Sequence, residues 1–213
     1  MEPIDEKRRL RQVVRQRLSQ LDPSEFLKAG RGLLPHLAPL FDELDRSAAG
    51  SPMVAYFASL PNEISTEPLD ELLRTRGIRR LLPRVSPGGL VFHQMEAHRA
   101  MSQLERDRMG IPTPPSTLSV VPLGQANLVL APGLAFDPQG GRLGQGGGYY
   151  DRVLQGVRRE APTPRVIGLC LDLQRLPLIP VEPLDQRVDA VCSPGQGLTP
   201  ARSLPADSGR PTA

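Results

Sequence analysis

Short apolar, β-prone runs alternate with helix-like segments along most of the chain, and this alternation limits the fold more than any other feature. The strand-like runs lie at residues 53–59, 78–82, 90–93, 127–131, 166–171 and 188–192. The helix-like segments lie at residues 4–21, from 22 onward, at 67–76 and at 149–159. Apolar strands that alternate with helices are typical of a parallel sheet covered on both faces. We therefore predict a single α/β domain in which an open, mostly parallel sheet carries helices on both faces, a three-layer α/β/α arrangement.

The two helices at the start of the chain have the clearest signals. Apolar residues repeat at helical spacing over residues 4–21, which predicts the first helix. The segment DPSE at 22–25 offers an N-cap, a proline at the first helical position and a glutamate that closes a capping box, so a second helix should begin there. We expect Pro35 and Pro39 to limit its length, because an internal proline removes a helical hydrogen bond.

The end of the chain differs in composition from the rest. The segment SPGQGLTPARSLPADSGRPTA, residues 193–213, is rich in Ser, Pro, Gly and Ala. A segment of this kind buries too little apolar surface to offset the entropy of ordering it. We therefore predict a folded domain over residues 1–192 and a disordered tail over residues 193–213.

Composition argues against a membrane protein and a secreted one. The sequence has no run of roughly 18 apolar residues that could span a membrane, and its beginning, MEPIDEKRRLRQ, lacks the apolar stretch of a secretory signal. Cys170 and Cys192 lie in apolar runs and are too few for a zinc site or a disulfide framework. We interpret them as buried free thiols and expect a cytoplasmic protein that has no membrane partner.

The charge of the chain leaves two kinds of partner open. The net charge is +3 and the isoelectric point is about 9.2, with the charges spread along the sequence. A basic chain can bind nucleic acid, but a mild positive excess suits an anionic small molecule equally well. Composition alone does not decide between them.

A glycine-rich segment between a strand-like run and a helix-like run is the most informative part of the sequence. It spans residues 132–151, PGLAFDPQGGRLGQGGGYYD. Glycine lets backbone N–H groups approach a ligand closely, and the N-terminus of a following helix favours phosphate. Arg142 can add a cation to the same oxygens, and Asp151 offers the hard oxygen ligand that Mg²⁺ prefers. The glycines are Gly140, Gly141, Gly144, Gly146, Gly147 and Gly148.

A flexible connection between strand and helix is the alternative interpretation of this segment. It would not require Arg142 or the Tyr149-Tyr150-Asp151 run that flanks the glycines. The segment also lacks the GK[ST] ending of a Walker loop and the downstream acidic residue of a dinucleotide-binding fingerprint.

The segment NLVLAPGLAFDPQGGRLGQGGGYYDRVL resembles the signature of the 5-formyltetrahydrofolate cyclo-ligase family, also called methenyltetrahydrofolate synthetases. The resemblance covers roughly residues 7–192 and is closest to bacterial members. Shorter segments that occur in the family's order are KRRLR near the start, NEIST at 62–66, LPRV at 82–85, GIPTP at 110–114 and LPLIPVEPLDQRVDAV at 176–191.

This resemblance implies an ATP- and Mg²⁺-dependent ligase of one-carbon metabolism. It would convert 5-formyltetrahydrofolate to 5,10-methenyltetrahydrofolate through a phosphorylated formyl intermediate, with release of ADP and phosphate. The implied partners are small molecules, reduced folate and ATP, acted on by a cytoplasmic monomer that binds neither nucleic acid nor membrane.

The resemblance also implies a role for each matching residue. It assigns catalysis to Lys7 and Arg142 and the metal to Asp151 and Asp185. It assigns the folate to Ala58, Glu63, Gln145 and Tyr149. It assigns ATP to Lys7, Arg11, Arg142, Leu143, Gly144, Gln145, Gly146, Gly147, Gly148, Tyr149 and Tyr150.

Without the resemblance, several of these residues have simpler interpretations. Lys7 and Arg11 lie one helical turn apart beside an apolar face, where a solvated or snorkelling pair is the favoured interpretation. Arg15 points the other way on the same helix and should be solvated. Glu63 follows a strand, as ligand contacts do in open α/β folds, but alone it indicates a solvated loop carboxylate. The chain departs from the family pattern at Gln145, where arginine or tyrosine is frequent.

Three other functions remain open at this level. A non-catalytic paralogue could bind folate or nucleotide on the same fold. A nucleic-acid-binding domain would use the arginine-rich first helix and show steep salt dependence. A different enzyme on a related open sheet, such as a phosphosugar isomerase or a CoA transferase, would not need the glycine segment.

Overall fold

The structure is a computed structural model that describes residues 3–47, 50–159 and 162–202. Its helices are α1 (Pro3–Leu18), α2 (Pro23–Ser47), α3 (Glu67–Thr75) and α4 (Tyr149–Val157). Its strands are β1 (Met53–Ala55), β2 (Arg79–Ser86), β3 (Gly89–Gln94), β4 (Leu128–Ala131), β5 (Ala135–Phe136), β6 (Arg142–Leu143), β7 (Arg165–Leu169), β8 (Ala190–Ser193) and β9 (Gly197–Pro200). No helix in the described ranges is both long enough and apolar enough to cross a membrane.

A seven-stranded sheet in the order β3-β2-β1-β4-β7-β8-β9 forms the centre of the molecule. The five inner strands are parallel, and β3 and β9 close the two edges as antiparallel strands. The predicted open, mostly parallel sheet is confirmed. A separate antiparallel ribbon pairs β5 with β6 and leads into the glycine segment.

Alternate side chains of each strand face different helical layers, because successive residues of a strand point to opposite sides of the sheet. Val54 packs in one apolar cluster with α1, α2 and α3, whereas its neighbours Met53 and Ala55 pack in a second cluster with α4. Val129 and Leu130 on β4 divide between the clusters in the same way. The predicted three-layer arrangement follows from this alternation.

The order of the strands places a crevice at one edge of the sheet. The chain passes from β1 outward to β2 and β3, then crosses back to β4 on the other side of β1. Open α/β sheets bind ligands where the strand order reverses, outside the carboxyl ends of the strands. The segments that follow β1 and β4 therefore meet at the expected position of a site.

Helix α2 is longer than the sequence predicts. It continues through Pro35 and Pro39 and ends only at Ser47. Its apolar stripe continues past both prolines to Leu37 and Phe41, which are fully buried. Burial of this stripe outweighs the hydrogen bonds that the prolines remove.

The prediction of a disordered tail from Ser193 is wrong for residues 193–202. Strand β9 pairs with β8 in antiparallel register, from Ser193 opposite Gly197 to Ala190 opposite Pro200. Gly197 has a φ of +66°, which glycine adopts at a tight turn without steric cost. The remainder of the predicted tail, 203–213, lies outside the described residues.

Candidate active site

A cavity of about 510 Å³ opens at the carboxyl ends of β1, β2 and β4. Phe57 and Ala58 after β1, Pro83 and Arg84 on β2, and Pro132 after β4 form part of its wall. The structure brings every residue predicted for the site to this cavity. These residues are Lys7, Arg11, Ala58, Glu63, Arg142, Leu143, Gly144, Gln145, Gly146, Gly147, Gly148, Tyr149, Tyr150, Asp151 and Asp185.

The glycine segment forms one wall and runs into the N-terminus of α4. Gly146 and Gly148 have φ values of +109° and +64°, in the region that favours glycine. Gly148 is the N-cap of α4 and has no side chain with which to cap the helix. The first amides of α4 therefore remain available to an anion in the cavity, where the helix dipole also favours negative charge.

Lys7 on α1 connects the start of the chain to a segment near its end. Its buried Nζ donates to Glu182 Oε2 at 2.5 Å and also to Asp185 Oδ2. Burial opposes the charge on Lys7, but the hydrogen bonds to Asp185 and Glu182 outweigh it, so the pKa of Lys7 is raised. Lys7 is thus a fixed cation at the cavity wall rather than a solvated one.

Arg142 and Asp151 form a second ion pair at the cavity. Arg142 Nη2 donates to Asp151 Oδ1 at 2.6 Å, and the guanidinium lies 5.7 Å from the centre of the Tyr150 ring. Arg142 Nε and the Tyr150 hydroxyl are buried, and neither has a hydrogen-bond partner within the described ranges. Polar atoms left this way are costly unless a ligand or water meets them, so they mark a place where a polar ligand would be stabilised.

Arginines of α1 hold the glycine segment from the other side. Arg11 Nε donates to the carbonyl of Gly144 at 2.9 Å. Arg15 Nη2 donates to both the carbonyl and the side-chain Oε1 of Gln145, each at 3.0 Å. Arg15 is exposed, as expected for a solvated side chain, and it is also long enough to reach the loop.

Glu63 is buried, with only 8% of its surface exposed. It accepts hydrogen bonds from the Leu60 amide at 3.1 Å and from Gln145 Nε2 at 3.1 Å. Burial raises the pKa of Glu63, and these two hydrogen bonds only partly counteract it. The interpretation of Glu63 as a solvated loop carboxylate is wrong.

The carboxylates at the cavity fit a magnesium ion. Asp151 Oδ1 accepts from Arg142 and from the Gln186 amide, and Asp185 Oδ2 accepts from Lys7 and from the Glu182 amide. The second oxygen of each aspartate accepts no hydrogen bond from the described residues. Those residues contain no cluster of three or more metal-ligating side chains. Mg²⁺ needs only one or two carboxylates together with waters and phosphate oxygens, so this donor set suits it.

Sequence reasoning missed part of the wall. Glu182 received no role, although it lies in the family-like segment at 176–191 and three residues from Asp185. Asp107, Met109 and Ile111 come from the long connection between β3 and β4, whose position only the fold decides. Arg84, in the LPRV segment at 82–85, lines the cavity and donates to the carbonyl of Pro114 at 2.9 Å.

The fold and the site together define an open α/β protein that has a glycine loop and a helix N-terminus beside a cavity at the carboxyl ends of its parallel strands. The model of the 5-formyltetrahydrofolate cyclo-ligase family matches residues 3–194. The chain belongs to that family of ligases, as the sequence resemblance predicts.

Members of this family from other organisms are similar to the chain over most of their length. The chain is 36% identical to 5-formyltetrahydrofolate cyclo-ligase of Escherichia coli K12 over 67% of this chain and 78% of that protein. It is 28% identical to the cyclo-ligase of Mus musculus over 87% of this chain and 92% of that protein. The fold matches a structure of Aquifex aeolicus 5,10-methenyltetrahydrofolate synthetase with a TM-score of 0.75 at 24% identity, covering 95% of this chain and 97% of the other.

Proposed function

We propose that the protein converts 5-formyltetrahydrofolate to 5,10-methenyltetrahydrofolate and consumes ATP. Family membership supports the reaction class. The observation that carries the proposal is that a single cavity combines the glycine loop, four cations and a buried carboxylate. Three of the cations, Lys7, Arg11 and Arg142, are those that we assign to phosphate. The fourth is Arg84, and the buried carboxylate is Glu63.

We assign the glycine-loop side of the cavity to ATP. The backbone of residues 143–148, the N-terminus of α4 and the three cations would hold the phosphates, with Tyr149 and Tyr150 beside them. Asp151 and Asp185 would hold Mg²⁺, which when bound would neutralise charge that develops on the phosphate oxygens. Lys7 and Arg142 already lie next to these aspartates, so cations and metal ligands would act on the same phosphates.

We assign the side near Glu63 to the folate. Ala58 and Glu63 follow β1, and Gln145 and Tyr149 face them from the glycine loop and α4. Apolar side chains such as Phe57, Met109 and Ile111 supply contacts for a flat ring system. The Glu63 carboxylate can accept N–H donors of that ring while its own hydrogen bonds hold it in place.

The chemistry requires no nucleophile from the protein. The formyl oxygen on N5 attacks the γ-phosphorus of ATP, the bond to the leaving oxygen breaks, and ADP departs. N10 then attacks the formyl carbon, the C–O bond to phosphate breaks, phosphate departs and N10 loses its proton to solvent. The protein would contribute position and charge, because Lys7 and Arg142 would stabilise the transferring phosphoryl group.

The proposed setting is a small-molecule enzyme of the cytoplasm. Cys170 and Cys192 are both buried and unbridged, as expected in a reducing compartment. Lys7 and Arg142 face the cavity rather than an outer surface, which favours small anions over nucleic acid as the partner of these cations.

Absorbance of the methenyl product tests the proposal directly. A rise should require protein, 5-formyltetrahydrofolate, ATP and Mg²⁺ together. Asp151→Asn should need more Mg²⁺ and turn over more slowly, whereas Asp45→Asn, the same change at an exposed position on α2, should match the wild type. A folded wild type that binds ATP but forms no methenyl product would exclude the reaction and favour a non-catalytic paralogue.

A further inference from the structure

A chain of hydrogen bonds links three separate elements beside the proposed folate position. Arg15 of α1 donates through Nη2 to Gln145 Oε1 at 3.0 Å, and Gln145 Nε2 donates to Glu63 Oε1 at 3.1 Å. A second cavity has Arg15, Glu63 and Gln145 in its wall and shares the last two with the first cavity. Gln145 therefore borders both cavities, and its side chain connects a surface cation to a buried carboxylate.

The partners of Gln145 leave its amide a single orientation. A guanidinium can only donate hydrogen bonds, so the amide oxygen must face Arg15. The amide nitrogen then faces Glu63, where it can only donate. A reversed amide would place its nitrogen against the Arg15 guanidinium, where both groups donate, and its oxygen against the Glu63 carboxylate, where both groups accept. The hydrogen-bond partners therefore fix the orientation of the amide.

We propose that Gln145 is a positioning residue that holds the Glu63 carboxylate ready for the folate and relays the charge of Arg15 to it. The inference rests on the proposed function for the identity of the ligand, and on the Arg15–Gln145–Glu63 contacts for the role of Gln145.

The surroundings of Glu63 explain why such a residue is needed. The carboxylate is buried, and burial favours its neutral form. Among the described residues, its hydrogen-bond donors are the Leu60 amide and Gln145 Nε2. The charged or titratable groups that share cavity walls with it are Lys7, Arg11 and Arg15 of α1, Glu67 of α3, Arg84 of β2, Arg106, Asp107, Arg142 of β6, Tyr149, Tyr150 and Asp151 of α4, Glu182 and Asp185. None of these donates a hydrogen bond to it, so removal of Gln145 would leave a single donor.

Each Glu63 oxygen still has room for the substrate. A carboxylate oxygen can accept two hydrogen bonds, and in the structure each oxygen accepts one. The folate therefore need not displace Gln145 in order to meet Glu63. Gln145 can therefore stay in contact with Glu63 while the folate binds, as a positioning residue does.

Gln145→Met is the matched test, because methionine keeps the length of the side chain and removes the amide. We expect its Kd for 5-formyltetrahydrofolate, measured by calorimetry, to rise roughly ten-fold or more, as for loss of a hydrogen bond to a charged group. The affinity for ATP should change less than two-fold. Carboxyl ¹³C NMR, with Glu63 assigned by comparison with Glu63→Gln, should show a higher pKa for Glu63 in Gln145→Met.

Two further variants make the result decisive. Arg15→Met keeps the amide and removes the cation, so it should shift both readouts in the same direction by a smaller amount. Gln20→Met makes the same chemical change at an exposed position that has no side-chain hydrogen bond to the described residues, and it should behave as the wild type.

The inference is overturned if Gln145→Met keeps both the folate affinity and the Glu63 pKa of the wild type, or if folate and ATP affinities fall equally. These readouts do not depend on turnover. A wild type that binds folate but forms no product would exclude the proposed reaction, while the binding and NMR comparisons would still decide the role of Gln145.

Discussion

Arg80 on β2 and Asp70 on α3 form an ion pair in the interior, with 1% and 3% of their surfaces exposed. Arg80 Nη1 donates to Asp70 Oδ1 at 2.5 Å, and Arg80 Nη2 donates to the carbonyls of Glu96, Ala97 and Arg99. This cation therefore attaches the segment after β3 to the sheet. The same segment continues toward the residues that line the cavity near Met109.

Replacement of Arg80 by methionine leaves the Asp70 carboxylate buried without its cation. The Tyr56 hydroxyl and the Met101 amide still donate to Asp70, but neither carries a charge. Removing one partner of a buried ion pair typically costs about 3–5 kcal/mol of unfolding free energy. We expect Arg80→Met to lie in this range, which is a large part of the ~5–15 kcal/mol that stabilises a typical domain.

Urea unfolding followed by far-ultraviolet circular dichroism measures this change. The matched control is Arg76→Met, which breaks an ion pair with Asp42 at 2.5 Å whose side chains are 27% and 58% exposed. That surface pair should contribute no more than about 1 kcal/mol. The double variant Arg80→Met with Asp70→Leu should recover much of the lost stability, because it removes the unpaired charge.

The reasoning fails if the free energies of unfolding of Arg80→Met and Arg76→Met differ by less than about 1 kcal/mol, because an exposed pair contributes no more than that. It also fails if the double variant is less stable than Arg80→Met. If Arg80→Met does not fold at all, Asp70→Asn provides the measurement, because it keeps the shape of the side chain and removes only the charge.

Three further predictions follow from single residues. Because burial raises the folded-state pKa of Glu63, the native state binds more protons than the unfolded state and stability falls as pH rises through that pKa; Glu63→Gln should therefore be the more stable protein at neutral pH in thermal unfolding, and equal or lower stability would contradict this. Gly168→Ala places a Cβ 2.2 Å from Phe136 Cε1 and should lower the free energy of unfolding by about 1–3 kcal/mol. In Gly156→Ala on α4 the new Cβ meets nothing within 4 Å, so this change should raise it by up to ~1 kcal/mol, and equal melting temperatures of the two variants would refute the contrast. Lys7→Met removes the buried cation at the proposed phosphate position and should raise the KM for ATP by roughly ten-fold or more in initial-rate assays, with a smaller change for folate, and an unchanged KM for ATP would argue against the assignment.

The layers of the fold could be predicted because each signal is local. The alternation at β1 divides its side chains between two faces whatever the rest of the chain does, and the glycines before α4 mark a strand-to-helix turn wherever it lies. The proposed anion site is local in the same sense, since Arg142, the glycine loop and Asp151 lie within a few residues of one another.

Long-range packing decided what the sequence could not. Helix α2 passes two prolines because burial of Leu37 and Phe41 outweighs the lost hydrogen bonds, and the segment after Ser193 becomes a strand because the edge of β8 is open to pair with it. Neither outcome is visible in the local composition of the segment concerned.

The same distinction between local and long-range information applies to the site. The sequence by itself determined the residue types: cations on the first helix, a glycine loop, a glutamate after a strand and two aspartates. Only the tertiary structure decided that Lys7 meets Glu182 and Asp185, and that Arg15 reaches Glu63 through Gln145. These contacts join residues far apart in the chain, and their burial sets the pKa of Lys7 and of Glu63 in ways that a local sequence window cannot show.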